Sequence, residues 1–446
     1  MKSVIFCEIK RGVIVMDLGI INGKIYENGR FVYGNLYVKD GVIEAVTASE
    51  LECSEIYDAE GCMVLPGFID SHVHFSLGGG DNVSEDDFYS GSVNAAFGGI
   101  TSYIDFLDPI NEVSQLEGEF EKRKSLAQRS VSDFAFHVTL GNFKGDVREL
   151  LKKSAELGMP GIKIFTTYES TKRMTKDRII DELLMYSKEY GCRIVVHAEN
   201  NDLITENNVL VKDHGKARPA ISEISEVLKL AEMARYRDGL LYIVHTNCGT
   251  TVKRLKENNS DKLHGDIILE SAPHYFIFYS SVYEGEDGYR YTMTPPLRAE
   301  SERQKLNENI DGIDVIATDH CPFPEEKKNK KYTSEIPMGV GGVKYSFLNM
   351  YTLYKESIIP KFTENPAKIH GLYPKKGSLM VGSDADIVIF NPGKSTKVAD
   401  KKSIYDGKVL QGSINAVFAG GKKIAENNVF IGGNHKGSYM ARRIKL

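Results

Sequence analysis

A chain of 446 residues has room for one large domain or two to three small ones. Its 56 Lys and Arg against 61 Asp and Glu leave a formal charge of −5, which excludes nucleic acid or an anionic membrane as the main partner. Hydrophobic residues at 41% describe an ordinary globular protein, six Cys without a Cys-x-x-Cys pair exclude a disulfide scaffold, and no apolar run reaches the ~18 residues of a membrane span.

The start mixes Lys2, Glu8, Lys10 and Arg11 with short apolar runs and lacks the continuous apolar stretch of a signal peptide, so the chain reads as cytoplasmic. Met16 opens the first patterned segment, and residues 1–15 read as a leader ahead of it. Residues 16–65 alternate in short runs broken at Asn22-Gly23, Asn28-Gly29 and Asp40-Gly41, the chemistry of β-hairpin turns. After Pro66, eight short apolar runs (67–74, 100–106, 133–140, 161–165, 193–197, 240–245, 266–271 and 314–318) alternate with longer stretches of helical spacing. In 178–190, for instance, Ile179, Ile180, Leu183, Leu184 and Tyr186 fall on one face. Eight such units predict an α/β fold built on a (β/α)8 barrel of the TIM type. Residues 377–431 return to hairpin-like runs, with strands at 386–390 and 414–419 and a turn at Gly420-Gly421. Neither flank has enough strand to close a sheet alone, so both chain ends are expected to meet in one small β-sandwich. The domain reading is therefore 1–65 and 376–446 for the two halves of the sandwich, around a barrel at 66–375.

The chemistry gathers at the predicted C-terminal ends of the barrel strands, where barrel active sites form. The first strand ends in Asp70-Ser71-His72-Val73-His74, and residues two apart in a strand share a face, so His72 and His74 can bind one ion together. His197 and His245 close the fifth and sixth strands, Asp319 the eighth, and Lys163 sits in the apolar fourth strand Gly161-Ile162-Lys163-Ile164-Phe165. Any one of these reads as an ordinary hydrogen-bonded residue. Four His, one Asp and one Lys on one rim are not six independent structural accidents.

With these residues in place, the sequence resembles the metal-dependent amidohydrolase superfamily, and within it the cyclic-amide branch of dihydropyrimidinases (D-hydantoinases), allantoinases and dihydroorotases. The resemblance runs from Met16 onward and rests on the 66–74 motif, Val196-His197-Ala198-Glu199-Asn200, Ser271-Ala272-Pro273-His274-Tyr275, Thr294-Pro295-Pro296-Leu297-Arg298, Ala317-Thr318-Asp319-His320-Cys321, Asn365-Pro366-Ala367-Lys368-Ile369 and Gly382-Ser383-Asp384-Ala385-Asp386. It implies two divalent metal ions, with zinc suited to the donor set. His72, His74 and Asp319 would hold one ion and His197 and His245 the other, bridged by Lys163 as N6-carboxylysine. Charge supports that modification, because an ammonium beside two cations is untenable whereas a carbamate is an anion. The implied reaction is hydrolysis of a cyclic amide by a metal-bridged hydroxide, with Asp319 shuttling the proton and Tyr168 stabilising the oxyanion.

Substrate assignment follows the departures. Ser76 stands where dihydroorotases place an arginine for the substrate carboxylate, so that grip is lacking. Thr294 occupies the place of a ring-contacting serine, and Met338 that of an asparagine usual in hydantoinases. The implied substrate is a dihydropyrimidine- or hydantoin-type cyclic amide or ureide, with allantoinase or dihydroorotase activity as the alternative. The other class is a non-catalytic dihydropyrimidinase-related assembly protein, which the intact ligand set disfavours. The tail 433–443 resembles an arm that reaches a neighbouring subunit, implying a homo-oligomer, dimer or tetramer. The remaining candidates read plainly: His137, His274 and His320 as packing or supporting residues; His214, His264, His370 and His435 as surface or loop; Asp384 and Asp386 as turn residues; and the charged run 325–331 as a solvated loop.

Overall fold

The structure, a computed structural model, describes residues 15–78, 83–205, 207–258 and 265–445. Most of the expected leader and His264 lie outside them. Five strands come first: β1 (Met16–Glu27), β2 (Arg30–Lys39), β3 (Val42–Thr47), β4 (Cys53–Asp58) and β5 (Met63–Pro66). The eight barrel strands follow as β6 (Phe68–Asp70), β7 (Ile100–Phe106), β8 (Asp133–Thr139), β9 (Gly161–Phe165), β10 (Arg193–His197), β11 (Leu241–Ile243), β12 (Ile267–Ser271) and β13 (Val315–Ile316). The chain ends in β14 (Ile387–Lys397), β15 (Val409–Ala419), β16 (Lys422–Glu426) and β17 (Val429–Phe430). All eight expected runs are strands, some shorter than their apolar stretch because the site residues beyond them leave the ladder.

The barrel strands pair in parallel in sequential order from β6 to β13. Closure between first and last is made by a single bridge, Val73 to His320. Two bonds reinforce it: the Thr318 N–H and hydroxyl donate to the Asp70 carboxylate at 3.1 and 2.6 Å. Outside, helices bury one face against the strands. The helix Asp177–Ser187 buries Ile180, Leu183, Leu184 and Ser187, the 3.6-residue period expected of this stretch.

Both chain ends meet in one nine-stranded sheet, joined where β5 pairs antiparallel with β14. It has its own core, including Leu18, Ile20, Leu36, Val64, Ile387 and Phe418. Asn28-Gly29 and Asp40-Gly41 turn as expected, with positive φ at all four residues. Asn22-Gly23 does not: β1 runs on through it as a bulge, because the Asn22 N–H finds the Asn35 side chain at 3.1 Å and its amide finds Asp58 at 3.0 Å.

Asp384 and Asp386 are more than turn residues. Together with Asp133 at the start of β8 they surround the buried Lys376 ammonium, at 3.0, 2.8 and 2.5 Å, and so tie the returning chain to the barrel. These carboxylates overcome the burial that opposes the charge and raise the Lys376 pKa. A raised pKa gives a stabilisation fully present below the ordinary lysine value and lost only as pH climbs through the folded one. Lys376→Met is expected to cost roughly 3 kcal/mol at neutral pH, read as a lower urea midpoint.

The tail is seated on its own barrel. Ser438 accepts from the Phe134 N–H at 3.0 Å, the Met440 N–H donates to Phe134 at 2.7 Å, and a Cβ at Gly437 would meet the Ser132 carbonyl at 1.9 Å. Among the described residues no helix is long and apolar enough to cross a membrane.

Candidate active site

His72, His74 and Asp319 meet at the barrel seam. His72 Nε2, His74 Nε2 and Asp319 Oδ1 form a triangle whose three edges each measure 3.2 Å. Lone pairs brought this close repel one another unless a proton or a cation lies among them. Tetrahedral ligands ~2.0–2.2 Å from a zinc ion stand ~3.3 Å apart, so the triangle fits a divalent metal. Burial opposes the charge on Asp319, but His72, His74 and His245 beside it prevail and hold its pKa far below the usual carboxylate range. Burial lowers the pKa of His74, His197 and His245 and so favours the neutral form that can ligate.

His197 and His245 form the other side, their ring centroids 4.6 Å apart and that of His245 5.6 Å from His72. They are not part of the tight triangle. Lys163 is buried beneath, its Nζ 5.1 Å from the Phe106 ring, with no ion pair among the described residues. Burial drags its pKa down to about 8 despite Asp319 and Glu270 nearby. Such an amine carries a sizeable neutral fraction at physiological pH and is able to add CO2.

Two carboxylates that the sequence reading gave no role fix the imidazoles. Glu270, on β12, takes the His72 Nδ1–H at 2.7 Å, the His245 backbone N–H at 3.2 Å and the Tyr242 hydroxyl at 2.6 Å. His72 is thereby left with its Nε2 lone pair toward the triangle. Glu199 takes the His197 Nε2–H at 2.8 Å, leaving Nδ1 as that ring's acceptor, and is itself held by Arg218 at 2.6 Å. Their signal was an acid inside an apolar strand and one two residues past a strand-end His. Glu270→Gln is expected to weaken divalent-metal affinity roughly 10–100-fold, measured by metal titration of the apoprotein.

His245, Asp319 and Tyr168 all hold positive φ, of 39°, 49° and 68°. Non-glycine residues in that region cost about 1–3 kcal/mol each, a conformation kept where it aims a side chain. The Tyr168 hydroxyl donates to Thr294 Oγ1 at 2.8 Å. Tyr168, Thr294 and Met338 line the same cavity of about 520 Å³ as the six strand-end residues.

Several plain readings change. His214 is buried, not at the surface: its Nε2 reaches the Met293 carbonyl at 2.9 Å under the cavity wall, and burial pulls its pKa down to about 4. His370 is buried beside His137, ring centroids 5.4 Å apart, because both pack below the site. The run 325–331 is only partly solvated. Its Lys328 is 5% exposed and donates to the carbonyls of Thr292, at 2.8 Å, and Gly339, which replace its water. His320 supports rather than faces the cavity, bonding Asp86 at 2.9 Å.

Comparison with known proteins follows this geometry. The sequence pattern of the Amidohydrolase family matches residues 63–434. A D-phenylhydantoinase of Escherichia coli O81 is 28% identical, over 96% of this chain and 98% of that protein. The solved D-hydantoinase of a Bacillus sp. superposes with a TM-score of 0.90 at 26% identity, covering 96% of this chain and all (100%) of the other. The dihydropyrimidinase of Brevibacillus agri gives 0.89 at 26% identity, with 97% and 100% covered.

Proposed function

The chain belongs to the amidohydrolase family, and on that premise we propose that it is a metal-dependent cyclic amidohydrolase that opens dihydropyrimidine- or hydantoin-type rings, as the names of its relatives indicate for them. The observation that carries this is the convergence of His72, His74, Lys163, His197, His245 and Asp319 on one cavity. His72, His74 and Asp319 would hold one divalent cation and His197 and His245 a second, with Lys163 as N6-carboxylysine between them; zinc suits these nitrogen and oxygen donors. Bound there, the ions supply Lewis acidity to the ring carbonyl and acidify water.

The chain's own residues do the rest. Lys163 adds through its neutral amine to CO2 and sheds one proton, becoming the anion this buried position requires. Asp319, its carboxyl held below the usual carboxylate range by the neighbouring histidines, takes the proton of the attacking water and returns it to the departing ring nitrogen. Tyr168 turns its hydroxyl from Thr294 to the developing oxyanion. Thr294 and Met338 flank the ring, and Leu77, Phe106 and Phe165 offer apolar surface to its substituent. The lack of an arginine at Ser76 speaks against dihydroorotate as preferred substrate. The intact ligand set speaks against a purely assembling role. We place the enzyme in the cytoplasm as a homo-oligomer, dimer or tetramer.

The test is a panel of dihydrouracil, hydantoin, substituted hydantoins, allantoin and dihydroorotate offered to metal-loaded enzyme. Ring opening of hydantoin or dihydrouracil is expected. Dihydroorotate as best substrate would overturn the reading of Ser76, and no turnover at all would return the protein to the assembly class.

A further inference from the structure

The loop that carries Tyr168 has a second occupant of the cavity. Leaving β9, it turns through the short helical segment Glu169–Thr171 and comes back beside the strand, Met174 bridging to Phe165. Its closure is tight: the Arg173 N–H donates to the Tyr168 carbonyl at 3.1 Å, and the Thr175 N–H to Phe165 at 2.8 Å. Arg173 is thus pinned beside the tyrosine proposed to meet the oxyanion. Its side chain is exposed and lines the same cavity as the strand-end cluster.

What distinguishes Arg173 is charge. Among the described residues it has no carboxylate partner, unlike the guanidinium of Arg218, which lines the same cavity. Arg218 pairs with Glu199 at 2.6 Å and Lys176 with Glu169 at 2.6 Å, which also removes the loop's own acid from reach. Asp319 is the one acid among the described lining residues, and its Oδ1 faces His72 and His74 at the floor. Among the described residues the mouth therefore carries a guanidinium with no paired carboxylate, flanked by the hydroxyl-bearing side chains of Ser170, Thr171, Thr205 and Ser334. A guanidinium presents a planar fork that fits a carboxylate with two parallel bonds.

We propose that Arg173 makes this enzyme select cyclic amides whose exocyclic substituent ends in a carboxylate, held at the cavity mouth while the ring sits below at the strand ends. The inference rests on the ring-opening reading above. It also sets a length. Because Arg173 is exposed whereas Lys163, His197 and His245 at the strand ends are buried, the anion is carried on a short flexible arm and not directly on the ring.

Carboxyethyl-hydantoin and carbamoylethyl-hydantoin differ only in that charge, and hydantoin itself serves as reference. The wild-type enzyme is expected to favour the carboxylate over the carboxamide in kcat/KM by roughly tenfold, the scale of one charge-assisted pair. R173Q is expected to bring that ratio close to one, and added salt to erode it in the wild type only. Arg173 contributes no side-chain bond to the fold among the described residues, so R173Q is expected to fold normally. A wild-type enzyme indifferent to the charge, an R173Q variant that keeps the preference, or inert arms beside a turned-over hydantoin would each overturn the role of Arg173. Failure of every ring, hydantoin included, would overturn the ring-opening reading and this inference with it.

Discussion

Lys163→Ala is expected to yield a folded protein with depleted metal and kcat lower by at least about a thousandfold. The strand survives because Ile162 and Ile164, both fully buried, still pack on their faces, and alanine leaves no charge behind. What the substitution would remove is the carbamate anion that we propose between the two sets of imidazoles. In the wild type the Lys163 pKa falls to about 8 through burial, so loading with bicarbonate and metal is expected to improve as pH rises from 6 toward 8 and the amine deprotonates. In the alanine variant that dependence vanishes, while acetate or propionate refills the vacated space and restores part of the metal content and turnover. An alanine variant with full metal content and near-normal rate would refute the carbamate.

The second large effect is expected at Asp319, the residue proposed to carry the proton. Asp319→Asn retains shape and tolerates the positive φ of 49° at this position, since asparagine is among the residues that adopt it most readily. It removes the basic oxygen. The expected result is a kcat reduced by 10³–10⁴, about the full contribution of a positioned base, with the circular dichroism spectrum unchanged. A variant within tenfold of wild type would assign the proton transfer elsewhere.

The barrel and the ends of its strands were legible because both depend on local pattern: apolar runs of strand length, helical spacing between them, and polar residues where each run stops. His72 and His74 could be paired because two residues along a strand is a local distance. Their supports could not. Glu270 meets His72 across 198 residues, and an acid within an apolar strand does not announce which imidazole it will hold. Composition misled at the charged run around Lys328 for a related reason. A lysine is assigned to solvent unless its ammonium finds acceptors, and here those are main-chain carbonyls that no pattern of side chains records. His214 repeats the lesson, buried by a bond to the Met293 carbonyl. The Asn22-Gly23 bulge differs, since a turn signal was overridden by side chains from β2 and β4.

The single bridge that closes the barrel has a consequence for how the molecule comes into being. Asp70 and Thr318 lie 248 residues apart, so the bond between them closes a loop that spans nearly the whole barrel, a non-local step that chain entropy opposes until the intervening strands are in place. His72 and His74 stand on one side of that juncture and Asp319 on the other. The triangle proposed to hold a cation is thus complete only once the two edges of the barrel meet, since His72 and His74 alone supply two of its three donors. If the trio holds a metal as proposed, uptake by all three donors together is expected to follow closure of the ring of strands.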